Sequence, residues 1–145
     1  MPVLGQVLEK YPKDVKVVFK NFPLNSHRFA LQAAAAALAA GDQGKFWEFH
    51  DRLFENYNRL NDQIIGQIAT DLKLDLVEFE KSMRDPAIEE KISQDVYDGR
   101  QAGVNSTPSV FINGRRLRNR SLEGFQEAID KELQKLGNKA PEPNS

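Results

Sequence analysis

Gly103-Val104-Asn105-Ser106-Thr107-Pro108-Ser109-Val110-Phe111-Ile112-Asn113-Gly114 is the run on which the reading of this chain turns. Val110, Phe111 and Ile112 are strand formers in an unbroken apolar stretch, and Asn113-Gly114 is a pair that tolerates the positive φ of a two-residue hairpin turn. The strand therefore turns back tightly into Arg115 to Arg118. Pro108 has no N–H for a sheet ladder, so it fits an edge, a bulge or the first residue of a strand, and here it opens one. The residue before a proline is driven toward extended geometry. Thr107 is thus expected to present its backbone polar groups to something outside the sheet, in a shape able to hold an extended peptide. The plainer alternative is that Thr-Pro only starts a strand after a helix.

Beyond the hairpin, Ser121 is positioned to cap a helix with Leu122, Phe125, Ile129, Leu133 and Leu136 on one face, and the polar tail 137–145 is expected to be mobile. Before the hairpin lies a helical block. Ser26 is a plausible N-cap for a helix through Ala40, with Gly41 as its left-handed end. The face of Ala33, Ala34, Ala36, Ala37 and Ala40 lets another element approach closely. Gly44 leads into a helix bearing Phe46, Phe49, His50, Leu53, Phe54 and Tyr57, with Trp47 on its flank, read as aromatic core packing. Ile64, Ile65, Ile68, Ala69 and Leu72 mark a third helix. Asp75 with Glu78 resembles a capping box for a fourth that buries Leu76, Phe79 and Met83. Asp85-Pro86 reads as N-cap and N1 of a fifth, with Ile88, Ile92 and Val96 inward until Gly103.

At the start, Val3, Leu4, Val7 and Leu8 have helical spacing up to Tyr11-Pro12, and Val15-Lys16-Val17-Val18-Phe19 reads as a buried strand. A helix followed by one buried strand is half of a βαβ unit, whose first strand would precede the helix. We therefore expect one domain over 1–136, with a helical insertion at about 26–103.

Composition narrows the chemistry. The 145 residues carry 20 basic against 21 acidic side chains and a formal charge of −1, so no overall field draws the protein to nucleic acid or to an anionic membrane. The run Phe29–Ala40 is too short to span a bilayer, and the first ten residues lack the basic n-region and cleavage site of a signal peptide. With no cysteine, the chain has no thiolate nucleophile, disulfide or cysteine-ligated metal. The two histidines, His27 and His50, stand without a metal-ligand spacing, and His50-Asp51 as helix neighbours are expected to point apart. No GxGxxG, P-loop or GxSxG pattern occurs, and no catalytic residue, metal or cofactor is assigned. Arg115, Arg116, Arg118 and Arg120 could dock an acidic partner or phosphates, but positive charge on an edge strand also guards against aggregation, which is the reading preferred here.

The order helix, strand, helical block, Thr-Pro strand, hairpin, helix resembles an α/β thioredoxin-like fold of DsbA type, the thiol–disulfide oxidoreductases with a helical insertion. Phe22-Pro23-Leu24 with His27, the alanine-rich helix, and Gln43-Gly44-Lys45-Phe46-Trp47-Glu48-Phe49-His50-Asp51 with Leu53-Phe54 look like that family's hallmark sequence. Gly103-Val104 through Thr107-Pro108 and Phe111-Ile112-Asn113-Gly114 look like its cis-proline strand. The resemblance implies a cis Thr107–Pro108 bond and a substrate-binding site at Ser106, Thr107 and Pro108, with an extended polypeptide as partner. It also implies a CxxC at the start of the first helix and a strand before it, so the chain reads as N-terminally truncated and itself redox-inactive.

The missing strand would lie mid-sheet, leaving two inner edges. Buried unpaired backbone groups cost about 1–3 kcal/mol each, so three remedies are expected: the flanking strands pair directly, a second molecule supplies a strand in a homodimer, or the strand belongs to the full-length protein. A monomeric mass, together with a sheet closed within one chain, would sink the dimer. The functional readings are a DsbA-family oxidoreductase fragment or homologue, a non-enzymatic peptide-binding or assembly module using Thr107-Pro108, and a relative of the glutathione-dependent isomerases that share the insertion. The resemblance implies a periplasmic or exported full-length parent, the compartment of this chain being left open.

Overall fold

A computed structural model describes residues 2–24 and 29–139. It divides into a helical unit, Lys20–Asn105, and a discontinuous unit made of 1–19 with 106–145.

The helical unit contains α2 (Ala30–Gly41), α3 (Phe46–Glu55), α4 (Asp62–Asp71), α5 (Leu76–Met83) and α6 (Pro86–Gln101), while the other unit contains α1 (Pro2–Lys10), β1 (Phe111–Ile112), β2 (Arg115–Arg116) and α7 (Leu122–Lys139). Around α2 pack α3, α4, α5 and α6. Alanine makes this possible: Ala33, Ala36, Ala37, Ala39 and Ala40 are buried, and short side chains admit neighbours on several sides. Phe49 of α3 is fully buried and stacks on Phe79 of α5, ring centroids 5.6 Å apart. Each later helix starts on a side-chain cap, Asn61 accepting from the amide of Ile64, Asp75 from Val77 and Glu78, and Asp85 from Ala87. Gln43 ties the turn after α2 to the cap of α5, its amide donating to the Asp75 carbonyl at 3.0 Å and accepting from the Asp75 N–H at 2.8 Å.

A buried carboxylate holds the start of this unit. Asp95 of α6 accepts from the backbone and side-chain amides of Asn21, both at 2.9 Å, and from Lys91 Nζ at 2.9 Å, with Lys20 Nζ 3.7 Å away. Burial alone would raise its pKa, but the hydrogen bonds from Asn21 and Lys91 outweigh it and hold the carboxyl below its usual value. The two ends of the unit meet at Gly99. A Cβ there would lie 2.9 Å from two ring carbons of Phe22 and 3.7 Å from Val104 Cβ, and the Val104 amide donates to the Gly99 carbonyl at 2.9 Å.

In the other unit α1 packs on α7 over a core of Val7, Tyr11, Phe125 and Ile129, with Val15, Val110, Ile112 and Leu117 at its margin. Tyr11 donates its hydroxyl to Asp130 at 2.7 Å, which pushes the phenol pKa up. The hairpin turns through Asn113 (φ 48°) and Gly114 (φ 81°), pairing Phe111 with Arg116 and Ile112 with Arg115. Leu117 N–H to Val110 O, 2.8 Å, adds a further rung. Glu132 of α7 sits beneath the turn. Burial would raise its pKa, but hydrogen bonds from Lys135 and Asn113, with Arg115 nearby, lower it overall.

Several expectations are corrected. Residues 15–19 form no strand among the described residues, although they alternate half-buried and exposed, because there β1 pairs only with β2. The flanking strands therefore do not close on one another. Val110 lies outside β1. Gly41 ends α2 without positive φ, and the left-handed residue is Gly44, φ 75°, after the turn. Phe54 and Tyr57 are exposed at 62% and 73%, since the buried face of α3 is limited to Phe49 and Leu53. Leu76 is exposed at the first turn of α5, and Leu136 at the last turns of α7. Because α7 runs to Lys139, the helix covers the beginning of the expected tail. The expected cap Ser26 lies outside the described residues. No helix among the described residues is long and apolar enough to cross a membrane.

Candidate peptide-binding site

Ser106, Thr107 and Pro108 follow the end of unit Lys20–Asn105 and lead into β1. All three are exposed, and the Thr107–Pro108 peptide bond is cis. Neither the amide nor the carbonyl of Thr107 makes a hydrogen bond among the described residues. One donor and one acceptor are therefore offered side by side next to a strand, the minimum template for a pairing backbone.

Three side chains fix this loop from within the same unit. Ser109 Oγ donates to the Ser106 carbonyl at 2.8 Å, spanning the loop like a short turn. Arg116 Nη2 reaches Ser109 Oγ at 3.2 Å. Arg120 Nη1 donates to the Pro108 carbonyl at 2.6 Å, occupying the acceptor beside Thr107. The family resemblance implies a site at Ser106 to Pro108 but gives no sign that Ser109, Arg116 and Arg120 hold that loop. That needs the hairpin, which folds the return strand back over the loop.

The histidines stand apart from this loop in sequence. His27 lies outside the described residues. His50 packs its ring against Phe54 at 4.6 Å and Trp47 at 5.4 Å between centroids. The expectation that His50 and Asp51 point apart is corrected, for His50 Nδ1 lies 3.3 Å from Asp51 Oδ1, the short carboxylate swinging back to the ring. No group of three metal-ligating side chains occurs among the described residues. With no cysteine in the chain, nothing in it can carry a dithiol–disulfide cycle.

Comparison with known proteins follows the same lines. The family model described as Thioredoxin matches residues 2–131. A probable disulfide bond formation protein D from Bacillus cereus is 32% identical over 143 residues, covering 92% of this chain and 66% of the relative. A Na(+)/H(+) antiporter NhaA 3 from Salinispora tropica is 37% identical over 116 residues, covering 79% of this chain. The chain thus spans 18% of that antiporter's length. Among solved structures, the thiol-disulfide exchange protein alpha-DsbA2 from Wolbachia pipientis superposes with a TM-score of 0.78 at 24% identity, over 90% of this chain and 72% of its own. The fold is thioredoxin-like, of DsbA type.

Proposed function

The chain belongs to the thioredoxin family, and we propose that it is the polypeptide-holding part of a DsbA-type thiol–disulfide oxidoreductase. Ser106, Thr107 and Pro108 receive an extended polypeptide by main-chain pairing at Thr107, while the thiols of the exchange come from outside these residues. The relative named for disulfide bond formation supports the reaction class. The observation that carries the holding role is the exposed Thr107 backbone pair, which no group among the described residues satisfies. The whole protein would act in the periplasm or another exported compartment, where substrate disulfides persist.

The test is amide NMR of this chain titrated with a blocked, extended valine- and threonine-rich peptide. The Thr107 amide should shift on binding, and Thr107→Pro, which removes that donor, should weaken affinity about tenfold, the worth of one well-made hydrogen bond. A titration in which Thr107 does not respond overturns the assignment.

A second reading concerns the segment 15–18, which has no neighbouring strand among the described residues. A further strand adds there, with a second copy of the chain as its source in a homodimer.

A further inference from the structure

We propose that the Ser106–Ser109 loop selects acidic polypeptide segments through Arg116 and Arg120, a statement of substrate class that rests on the peptide-holding role above. Both guanidinium groups turn onto the loop, Arg120 to the Pro108 carbonyl and Arg116 to Ser109 Oγ. Their acceptors are neutral, so neither charge is compensated by the contact. Each guanidinium has five N–H donors, and one from each is engaged here. Arg115 is the one member of the basic run with an ion pair among the described residues, 4.0 Å from Glu132, itself held by Lys135 at 3.3 Å. Arg116, Arg118 and Arg120 have no carboxylate within ion-pair distance among the described residues, and all three are exposed.

Arginines that serve only to keep an edge strand from pairing would extend into water. Arg116 and Arg120 instead lie across the loop whose Thr107 backbone is open, which places two uncompensated cations beside the expected path of a bound strand. A strand paired at Thr107 sends successive side chains to opposite faces, so of any two consecutive residues at its paired position one points to the arginine side. A carboxylate there gains charge-assisted bonds from donors already held in place. A neutral side chain leaves both charges to water, and a lysine meets repulsion.

The experiment uses this chain and three blocked peptides of one valine- and threonine-rich sequence, differing in Glu, Gln or Lys at two consecutive central residues, so that both faces of the bound strand carry the change. At low salt the Glu peptide should bind about fivefold more tightly than the Gln peptide, as expected for an exposed ion pair, with the Lys peptide weakest. The preference should fade in molar salt and below the carboxylate pKa of the peptide. Arg120→Gln and Arg116→Gln should each reduce it, and Arg120→Lys should retain most of it. Equal affinity for the Glu and Gln peptides overturns acidic selection and leaves the holding role standing. Binding of none of the three overturns both.

Discussion

The helical unit and the discontinuous unit meet the same backbone requirement by different means. Among the described residues of Lys20–Asn105 every regular element is a helix, which closes its hydrogen bonds within its own segment, and side-chain caps serve three of the free ends. In the other unit, among the described residues, β1 pairs with β2 alone, and residues 15–18 alternate half-buried and exposed as a strand would without belonging to one. A helix is complete alone, whereas a strand borrows its partners. The region that borrows is also the one that carries the open Thr107 backbone, so the proposed peptide-holding role falls where the fold itself is least self-sufficient.

The strongest way to break this contrast is Phe49→Ala. If the helical unit is a tightly packed core, removing a fully buried ring should cost about 3–5 kcal/mol in urea unfolding followed by far-UV circular dichroism. A loss below about 1 kcal/mol would show a loosely filled core. Asp95→Asn comes next. The carboxylate is favoured in the fold, so its contribution is full above the unfolded value of about 4 and is lost as pH falls through the lower folded value. The variant should be about 2 kcal/mol less stable at pH 7, with the gap narrowing below about pH 4. A gap independent of pH would mean that Asp95 acts by shape alone. The smallest effect lies in amide exchange. Val15 to Val18 should exchange far faster than the Ala36–Ala40 amides of α2, and a homodimer would slow them as protein concentration rises. Exchange unaffected by concentration removes the second copy as the added strand.

The helices were legible because their signals are local. Asp85-Pro86 and Asp75 mark helix starts by chemistry confined to a single turn, and Asn113-Gly114 does the same for the hairpin. Exposure was less legible. Phe54, Tyr57, Leu76 and Leu136 are spaced as core residues, but burial depends on whether a neighbour extends that far, which periodicity does not encode. Val15–Phe19 has the composition of a strand, yet pairing is a property of two segments and cannot be read from one. Of the candidate site, Ser106 to Pro108 could be named from the resemblance carried by the order of elements, the helical insertion and the Thr-Pro strand together, not from Thr-Pro alone. Ser109, Arg116 and Arg120 could not, since their contacts to the loop depend on the sense in which the hairpin folds back.

The meeting of Phe22 and Val104 at Gly99 has a consequence for how the chain assembles. The two sequence halves of the discontinuous unit are separated by all of Lys20–Asn105, and closing a flexible loop of that length costs about 4 kcal/mol of chain entropy. Once the helices have packed, both ends of that long stretch are fixed at one glycine, and what remains to be closed is short. The helical unit is then a cassette with adjacent termini, whose early formation converts the slow, long-range part of folding into a local one.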